Sequence, residues 1–294
     1  MRRIMSMFHN ALRSPRGSGR VIDLAGDRID YAECGSGPTV VLVPGSCSTG
    51  AAWRPIMAAW EGRFRCVTTS LLGYGGTAER RTESSASIEQ EAEVVETVMR
   101  RAGAARTPVH VVGHSFGGLV AAVVAMRKRV QMASLTIVEA PAAELLRTTG
   151  GEGHYQAFRA MTDAYFAAWH RGEKDAIAGM IDFYGGAGTF ASWPERVRDY
   201  AVETTAANIL DWKCAYGFPL SPAMLAGIDN PSLVLTGTES HPAARRANEL
   251  LGQHMPDAWV ATLAGGSHFM IATHPEEVAE LIETHITWTE AQAA

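Results

Sequence analysis

The chain has 294 residues, of which 47% are hydrophobic, and this is enough for one large domain with a substantial core. Its net charge of −5 offers no polycationic surface and argues against a nucleic-acid partner. The four cysteines lack C-x-x-C spacing and are too few for a disulfide scaffold, so we expect a reducing, cytoplasmic compartment. We expect neither a metal nor a cofactor, because the histidines lack metal-ligand spacing and nothing resembles a phosphate-binding loop.

The beginning of the chain is basic: arginines, but no acidic residue, occur among the first 22 residues. The apolar run at residues 4–8 is too short for a secretory signal, so residues 1–20 are interpreted as a loose basic tail. Residues 107–126 carry no acidic, Lys or Arg side chain and are long enough to span a membrane. Glycine and polar residues interrupt that stretch, which favours a strand, turn and helix, and we expect no membrane partner.

From residue 21 onward, apolar segments alternate between strand and helix patterns. Residues 21–24 and 28–32 flank Gly26-Asp27 and predict a hairpin. Ser87 and Gln90 form a capping box that opens a helix, and Pro275 marks the start of the last one. Together these patterns predict an α/β fold with a mostly parallel, eight-stranded sheet and helices on both faces. The six further strand segments lie at residues 39–43, 65–70, 108–112, 134–139, 231–237 and 259–263.

The alternation stops between residues 142 and 224. This stretch has no valine-rich strand pattern and carries more than half of the aromatic residues. It predicts a helical insertion, which we interpret as a cap or lid. Residues 21–141 and 225–294 would then form the core.

The pattern Gly113-His114-Ser115-Phe116-Gly117 lies between a valine-rich strand and a helix. In such a turn the serine is forced into a strained conformation, and only glycine fits two positions to either side. The helix that follows points free N–H groups at an anion formed on the substrate. We therefore interpret Ser115 as a nucleophile.

Four ordered landmarks resemble the α/β-hydrolase fold superfamily, in its branch with a serine nucleophile and a lid. They are the elbow at Ser115, the Pro44-Gly45 turn, the Gly73-x-Gly75 loop and the segment Gly265-Gly266-Ser267-His268. The resemblance implies that His268 is the general base. A serine at position 115 also excludes the aspartyl-ester chemistry of haloalkane dehalogenases and epoxide hydrolases of this fold.

The acid of the triad is less clear from the sequence, because Ser240 occupies the position where most of the family has Asp. Glu239 is one residue early, and Glu139 ends the strand that follows the nucleophile helix. The position of Glu139 resembles the acid of some dehalogenases and of zearalenone-type lactonases. We favour Glu139, with Glu239 or another acid as alternatives.

The resemblance also assigns an oxyanion hole, made by the backbone N–H groups of Phe116 and Ser46, with Cys47 one register away. The Cys47 thiol is interpreted as a bystander. His114 is interpreted as a filler of the elbow and His274 as part of a helix start.

These assignments predict a serine hydrolase that cleaves an ester or lactone bond of an apolar small molecule through an acyl-enzyme on Ser115. The same residues could cleave a carbon–carbon bond or transfer an acyl group. A chain of another class, a non-catalytic small-molecule receptor with this fold, is also compatible with the sequence. The oligomeric state is open, and a homodimer is compatible with it.

Overall fold

The structure, a computed structural model, describes residues 20–24 and 27–293. The predicted basic tail lies outside the described residues except for Arg20, and the predicted hairpin turn at Gly26 lies outside them too. Within the described residues, the strands are β1 Arg20–Leu24, β2 Asp27–Cys34, β3 Thr39–Val43, β4 Arg65–Thr69, β5 Val109–His114, β6 Met132–Val138, β7 Ser232–Gly237 and β8 Ala258–Leu263.

All these strands belong to one sheet with the order β1-β2-β4-β3-β5-β6-β7-β8. β1 and β2 pair as an antiparallel hairpin, as predicted, and β2 pairs antiparallel with β4. The remaining pairs are parallel. The predicted fold class is therefore confirmed.

From β3 onward, helices alternate with the strands, and a 3₁₀ turn at Gly50–Trp53 precedes the first of these helices. Helix α2 begins with the predicted capping box, in which Ser87 and Gln90 bond each other's backbone N–H groups. The described helices are α1 Arg54–Ala59, α2 Ile88–Ala102, α3 Phe116–Arg127, α4 Ala143–Thr148, α5 Glu152–His170, α6 Ala178–Gly185, α7 Thr189–Ser192, α8 Glu195–Glu203, α9 Thr205–Gly217, α10 Pro222–Leu225, α11 Pro242–His254, α12 Met270–Thr273 and α13 Pro275–Ala293.

Helices cover both faces of the sheet, and the buried apolar side chains accordingly form two clusters. The larger cluster contains side chains of α2, α3, α11 and the helices between β6 and β7. The smaller one contains Trp53, Ile56 and Trp60 together with side chains of α12 and α13. α3 is buried along nearly its whole length, as expected of a helix without a charged face.

The segment between β6 and β7 contains α4 to α10, and no strand is described within residues 142–224. This agrees with the helical character predicted for that stretch, which is called the helical insertion below. Within residues 20–24 and 27–293, every helix falls short of the length or hydropathy that a bilayer crossing requires.

The register of the parallel strands brings their carboxyl ends together. Val43 pairs with Gly113, and His114 pairs with Val138. The residues that follow β3, β5 and β6 therefore meet at one edge of the sheet, the usual ligand position in open parallel sheets.

Candidate active site

Ser115 lies in a tight turn between β5 and α3. Its backbone has φ 53° and ψ −128°, a conformation that non-glycine residues rarely adopt. A Cβ atom at Gly113 would lie 2.3 Å from the carbonyl oxygen of Gly117, and one at Gly117 would lie 2.2 Å from that of Pro44. The strained turn and the need for both glycines are as the sequence predicted.

The imidazole of His268 faces this serine from the loop after β8. Its Nε2 lies 2.9 Å from Ser115 Oγ, which is hydrogen-bond distance. His268 is 3% exposed, so the pair is largely shielded from solvent. A neutral imidazole in this position can accept the serine proton through Nε2.

Aromatic side chains restrict the orientation of His268. The ring of Tyr184, on α6, stacks on the imidazole with centroids 3.9 Å apart and planes inclined by 25°. Phe269 packs edge-on from the adjacent position. The base is therefore positioned partly by the helical insertion.

His114 holds the backbone of the same loop. Burial lowers the pKa of His114 to about 3, and the neighbouring His268 contributes to this shift, so the His114 ring stays neutral. Its Nε2–H donates a hydrogen bond of 2.8 Å to the carbonyl oxygen of His268. His114 therefore links the nucleophile turn to the loop that carries the base.

Glu139 follows the last residue of β6 and is completely buried. Its backbone also adopts a left-handed conformation, with φ 55°. One carboxylate oxygen, Oε1, accepts hydrogen bonds from Thr236 Oγ1 at 2.6 Å, Ser240 Oγ at 2.8 Å and the Gly237 N–H at 3.1 Å. These donors fix the carboxylate beside the carboxyl end of β7.

The other carboxylate oxygen of Glu139, Oε2, faces the second ring nitrogen of His268. Oε2 and Nδ1 are 3.6 Å apart, beyond hydrogen-bond distance, and neither atom has another hydrogen-bond partner in the described residues. Burial raises the pKa of Glu139, but the facing imidazole, Thr236 and Ser240 together lower it below its ordinary value. An ionised Glu139 can therefore stabilise a positively charged imidazolium.

Glu239, the alternative acid, does not approach His268. It is exposed, and its side chain accepts a hydrogen bond of 3.4 Å from Thr238 Oγ1. Ser240, at the position where the family usually has Asp, instead donates to Glu139. Among the carboxylates considered, Glu139 is the one that faces the imidazole.

The turn after β3 packs directly against the nucleophile. A Cβ atom at Gly45 would lie 2.8 Å from the Cβ atom of Ser115, so only glycine allows this approach. Ser46 and Phe116 both border the same cavity as Ser115. Since Phe116 is the first residue of α3, its N–H has no partner within the helix.

Cys47, one residue further along this turn, is not arranged as a nucleophile. Burial raises the pKa of its thiol to about 12, and the nearby Asp211 adds to this effect. The thiol is therefore protonated at neutral pH and is a weak nucleophile.

A cavity of about 140 Å³ opens at Ser115 and His268, between the sheet edge and the helical insertion. A single water needs roughly 10–15 Å³ by the same measure, so the cavity has room for several non-hydrogen atoms. Its walls are mainly apolar and include Met180, Trp193 and Trp212.

Across residues 20–24 and 27–293, no group of three His, Cys, Asp or Glu side chains is arranged to hold a metal ion.

A buried charged network borders this cavity. Asp211, on α9, accepts hydrogen bonds from Ser46 Oγ at 2.5 Å and Tyr74 OH at 2.6 Å, and its Oδ1 lies 2.7 Å from Arg81 Nη1. Arg81 also contacts the carboxylates of Glu91 at 2.8 Å and Glu79 at 2.7 Å. The network joins the helical insertion to α2 and to the turn after β3.

The network contains more carboxylates than cationic groups. Burial raises the pKa of Glu91 to about 8, although the charge of Arg81 opposes this shift. Burial also raises the pKa of Asp211, against the opposing effects of Arg81, Ser46 and Tyr74. Arg81 is the guanidinium that offsets this group of carboxylates.

Sequence reasoning missed Arg81, Asp211 and the stacking role of Tyr184. One signal was available: Glu91 lies three residues after Ile88, on the same apolar face of α2, where an unpaired carboxylate would be unfavourable.

A model of the Alpha/beta hydrolase family matches residues 40–281, and the chain therefore belongs to this family. The chain is 28% identical, over 85% of its length, to "Polyketide synthase ThaQ" of Burkholderia thailandensis, but it spans only 12% of that relative.

Two similar solved structures show the fold alone, because their sequence identities are low. Est816, "an N-Acyl homoserine lactone degrading enzyme", has a TM-score of 0.70 at 20% identity, with 90% of this chain and 98% of Est816 covered. The meta-cleavage product hydrolase CumD of Pseudomonas fluorescens has a TM-score of 0.70 at 19% identity, with 92% and 97% covered.

Proposed function

We propose that this protein is a serine hydrolase that cleaves an ester or lactone bond of an apolar small molecule through an acyl-enzyme on Ser115. The observation that carries the proposal is the 2.9 Å contact between Ser115 Oγ and His268 Nε2 at the edge of a mainly apolar cavity. A serine hydroxyl becomes an effective nucleophile when a neighbouring base can take its proton.

In the first half of the reaction, Ser115 Oγ attacks the substrate carbonyl while His268 Nε2 takes the hydroxyl proton. Glu139 stabilises the resulting imidazolium through its facing Oε2. The N–H groups of Ser46 and Phe116 bind the oxyanion. The carbonyl–oxygen bond to the leaving alcohol then breaks, and His268 returns the proton to that alcohol.

In the second half, His268 removes a proton from water, and the hydroxide attacks the acyl carbon. The bond between that carbon and Ser115 Oγ breaks, and the proton passes back to the serine. The products are a carboxylic acid and the alcohol. For a lactone the two groups remain in one molecule, as a hydroxy acid.

The helical insertion would act as the lid of this site, with residues 21–141 and 225–294 as the core. Met180, Tyr184 and Trp212 of the insertion border the cavity, which supports this division. Since ligand sites are mainly apolar with few polar anchors, these side chains would set most of the substrate preference.

Labelling with a fluorophosphonate tests the nucleophile. We expect the wild type to gain one adduct on Ser115, found by peptide mass spectrometry, and Ser115→Ala to gain none. Ser48→Ala is a matched control, because Ser48 borders the same cavity but donates its hydroxyl to a backbone carbonyl. Equal labelling of Ser115→Ala and the wild type would contradict the proposal.

Turnover on a panel of aryl esters, lactones and vinylogous diketones then identifies the bond that is cleaved. The proposal expects product from the esters or lactones. Product from the diketones alone would show a carbon–carbon bond hydrolase, and an ester formed with an added alcohol in place of acid would show an acyltransferase. Tight binding with no turnover would show a receptor.

A further inference from the structure

Most polar side chains that border the cavity already have protein partners. Ser46 Oγ donates to Asp211, whose two carboxylate oxygens also bind Arg81 and Tyr74. The hydroxyl of Tyr200 accepts from the N–H of Gly75. Each of these groups therefore already has at least one partner in the protein itself.

Asn208 differs from them. It lies on α9, borders the cavity and is only 2% exposed. Its Oδ1 is enclosed and has no hydrogen-bond partner among the described residues. Buried side-chain acceptors are nearly always hydrogen-bonded, so an unpartnered one in a cavity wall is available to a donor group that enters the cavity.

The position of Asn208 relates this acceptor to the reacting bond. Asn208 is three residues before Asp211 on α9, so both side chains lie on one face of the helix, about one turn apart. Asp211 contacts Ser46 in the turn that packs against Ser115. The carboxamide therefore borders the same cavity as Ser115, on the helix face that also contacts the turn after β3.

We propose that Asn208 binds a hydrogen-bond donor of the substrate, a hydroxyl or an N–H group, close to the carbonyl that Ser115 attacks. This inference rests on the proposed function and narrows it to esters or lactones that carry such a donor. Trp212 and Ala215 follow on the same side of α9 and also border the cavity, so the donor would lie beside an apolar part of the acyl group.

Three phenyl esters with the same leaving group test the subsite: butanoate, 3-hydroxybutanoate and 3-methoxybutanoate. The methoxy ester keeps the oxygen but lacks the donor. We expect the wild type to prefer the hydroxy ester over the methoxy ester in kcat/KM by about tenfold to a hundredfold, because a buried unpaired acceptor disfavours the analogue without the donor. Asn208→Leu, of similar volume, should abolish this preference.

Asn230→Leu is the matched control, since it makes the same substitution at a residue that does not border the cavity, and it should keep the preference. A wild type without the preference, or Asn208→Leu that retains it, would overturn the proposal. Thermal melts identify a variant that has merely lost its fold; Asn208→Ser then replaces the leucine variant and should reduce the preference.

Binding to Ser115→Ala separates this inference from the proposed function. Dissociation constants for the same three esters should still favour the hydroxy ester, even if the wild type turns over none of them. Loss of turnover with selective binding would contradict the hydrolase and keep the Asn208 subsite. Turnover of the esters without selective binding would support the hydrolase and contradict the Asn208 subsite.

Discussion

The interaction between Glu139 and His268 offers the most direct test of the proposed mechanism. Replacing Glu139 by glutamine keeps the side-chain volume and a carbonyl oxygen that can accept the hydrogen bonds of Thr236 and Ser240. It removes the negative charge that lies 3.6 Å from His268 Nδ1. The perturbation is therefore mainly electrostatic.

The expected size of the effect follows from that distance. Two unit charges 3.6 Å apart interact by about 4–5 kcal/mol at an effective dielectric constant of about 20. Since each 1.36 kcal/mol changes a rate tenfold, loss of the carboxylate should lower kcat/KM by about a thousandfold. A glutamine N–H facing Nδ1 would also favour the wrong tautomer of His268.

The assay is kcat/KM on the best ester found, with circular dichroism to establish that the variant is folded. Glu239→Gln is the control and should change kcat/KM by less than twofold, because Glu239 is exposed and does not contact the base. A folded Glu139→Gln that loses less than tenfold, or a larger loss in Glu239→Gln, would refute the assignment.

The Glu139→Gln substitution should also change how the stability of the fold depends on pH. The folded protein holds the pKa of Glu139 below its ordinary value, so the ionised carboxylate stabilises the fold above the unfolded pKa of about 4.3. This contribution is lost as the pH falls through the folded pKa. Urea titrations should therefore show the wild type losing its advantage over Glu139→Gln below about pH 4.3; a constant difference would contradict this.

Further predictions concern the groups around the triad. Arg81→Met should lower the free energy of unfolding by about 3–5 kcal/mol, since it leaves the buried carboxylates of Glu91 and Asp211 without a counterion. Asp211→Asn should lower it less in the same urea titrations, because Arg81 retains other acidic partners; the reverse order would contradict the account. Tyr184→Phe should keep most of kcat/KM while Tyr184→Leu lowers it, because stacking on His268 needs the ring and not the hydroxyl; equal losses would argue against stacking. His114→Leu should lower kcat/KM by roughly tenfold through loss of the hydrogen bond to the His268 carbonyl, and His114→Gln, which keeps a donor, should recover part of it. Since the folded pKa of His114 is about 3 and its ordinary value is 6.5, wild-type stability should also fall from pH 6.5 towards 3 relative to His114→Leu; parallel curves would contradict this.

The parts of the site that the sequence predicted depend on local rules. The strained turn at Ser115 needs glycine at positions 113 and 117, and this requirement is visible in the sequence as a motif. The strand pattern after α3 placed Glu139 at the carboxyl end of β6. Because neighbouring parallel strands end at one edge, that placement was enough to bring it near the elbow.

The parts that sequence reasoning missed depend on long-range side-chain packing. Arg81 and Asp211 are 130 residues apart, and no periodic pattern relates a loop cation to an acid in the helical insertion. The orientation of Tyr184 could not be predicted either, because one aromatic residue among many gives no sign that it stacks on the base. Glu91 alone gave a local indication, and it identified a buried acid without identifying its partner.

The Asp211–Arg81 ion pair has a consequence for the modularity of the helical insertion. A segment that is exchanged between related proteins has to supply every group that contacts the rest of the protein. Here α9 contributes one charge, that of Asp211, to a buried cluster whose other members, Arg81 and Glu91, lie outside the insertion. A chimera that receives a foreign insertion without an acid at the Asp211 position would lose a counterion of Arg81 and the acceptor for Ser46. Helix α9 is thus hard to transplant, and α6 is constrained by the stacking of Tyr184 on His268. Helices α5, α7 and α8 are better starting points for engineering a new specificity.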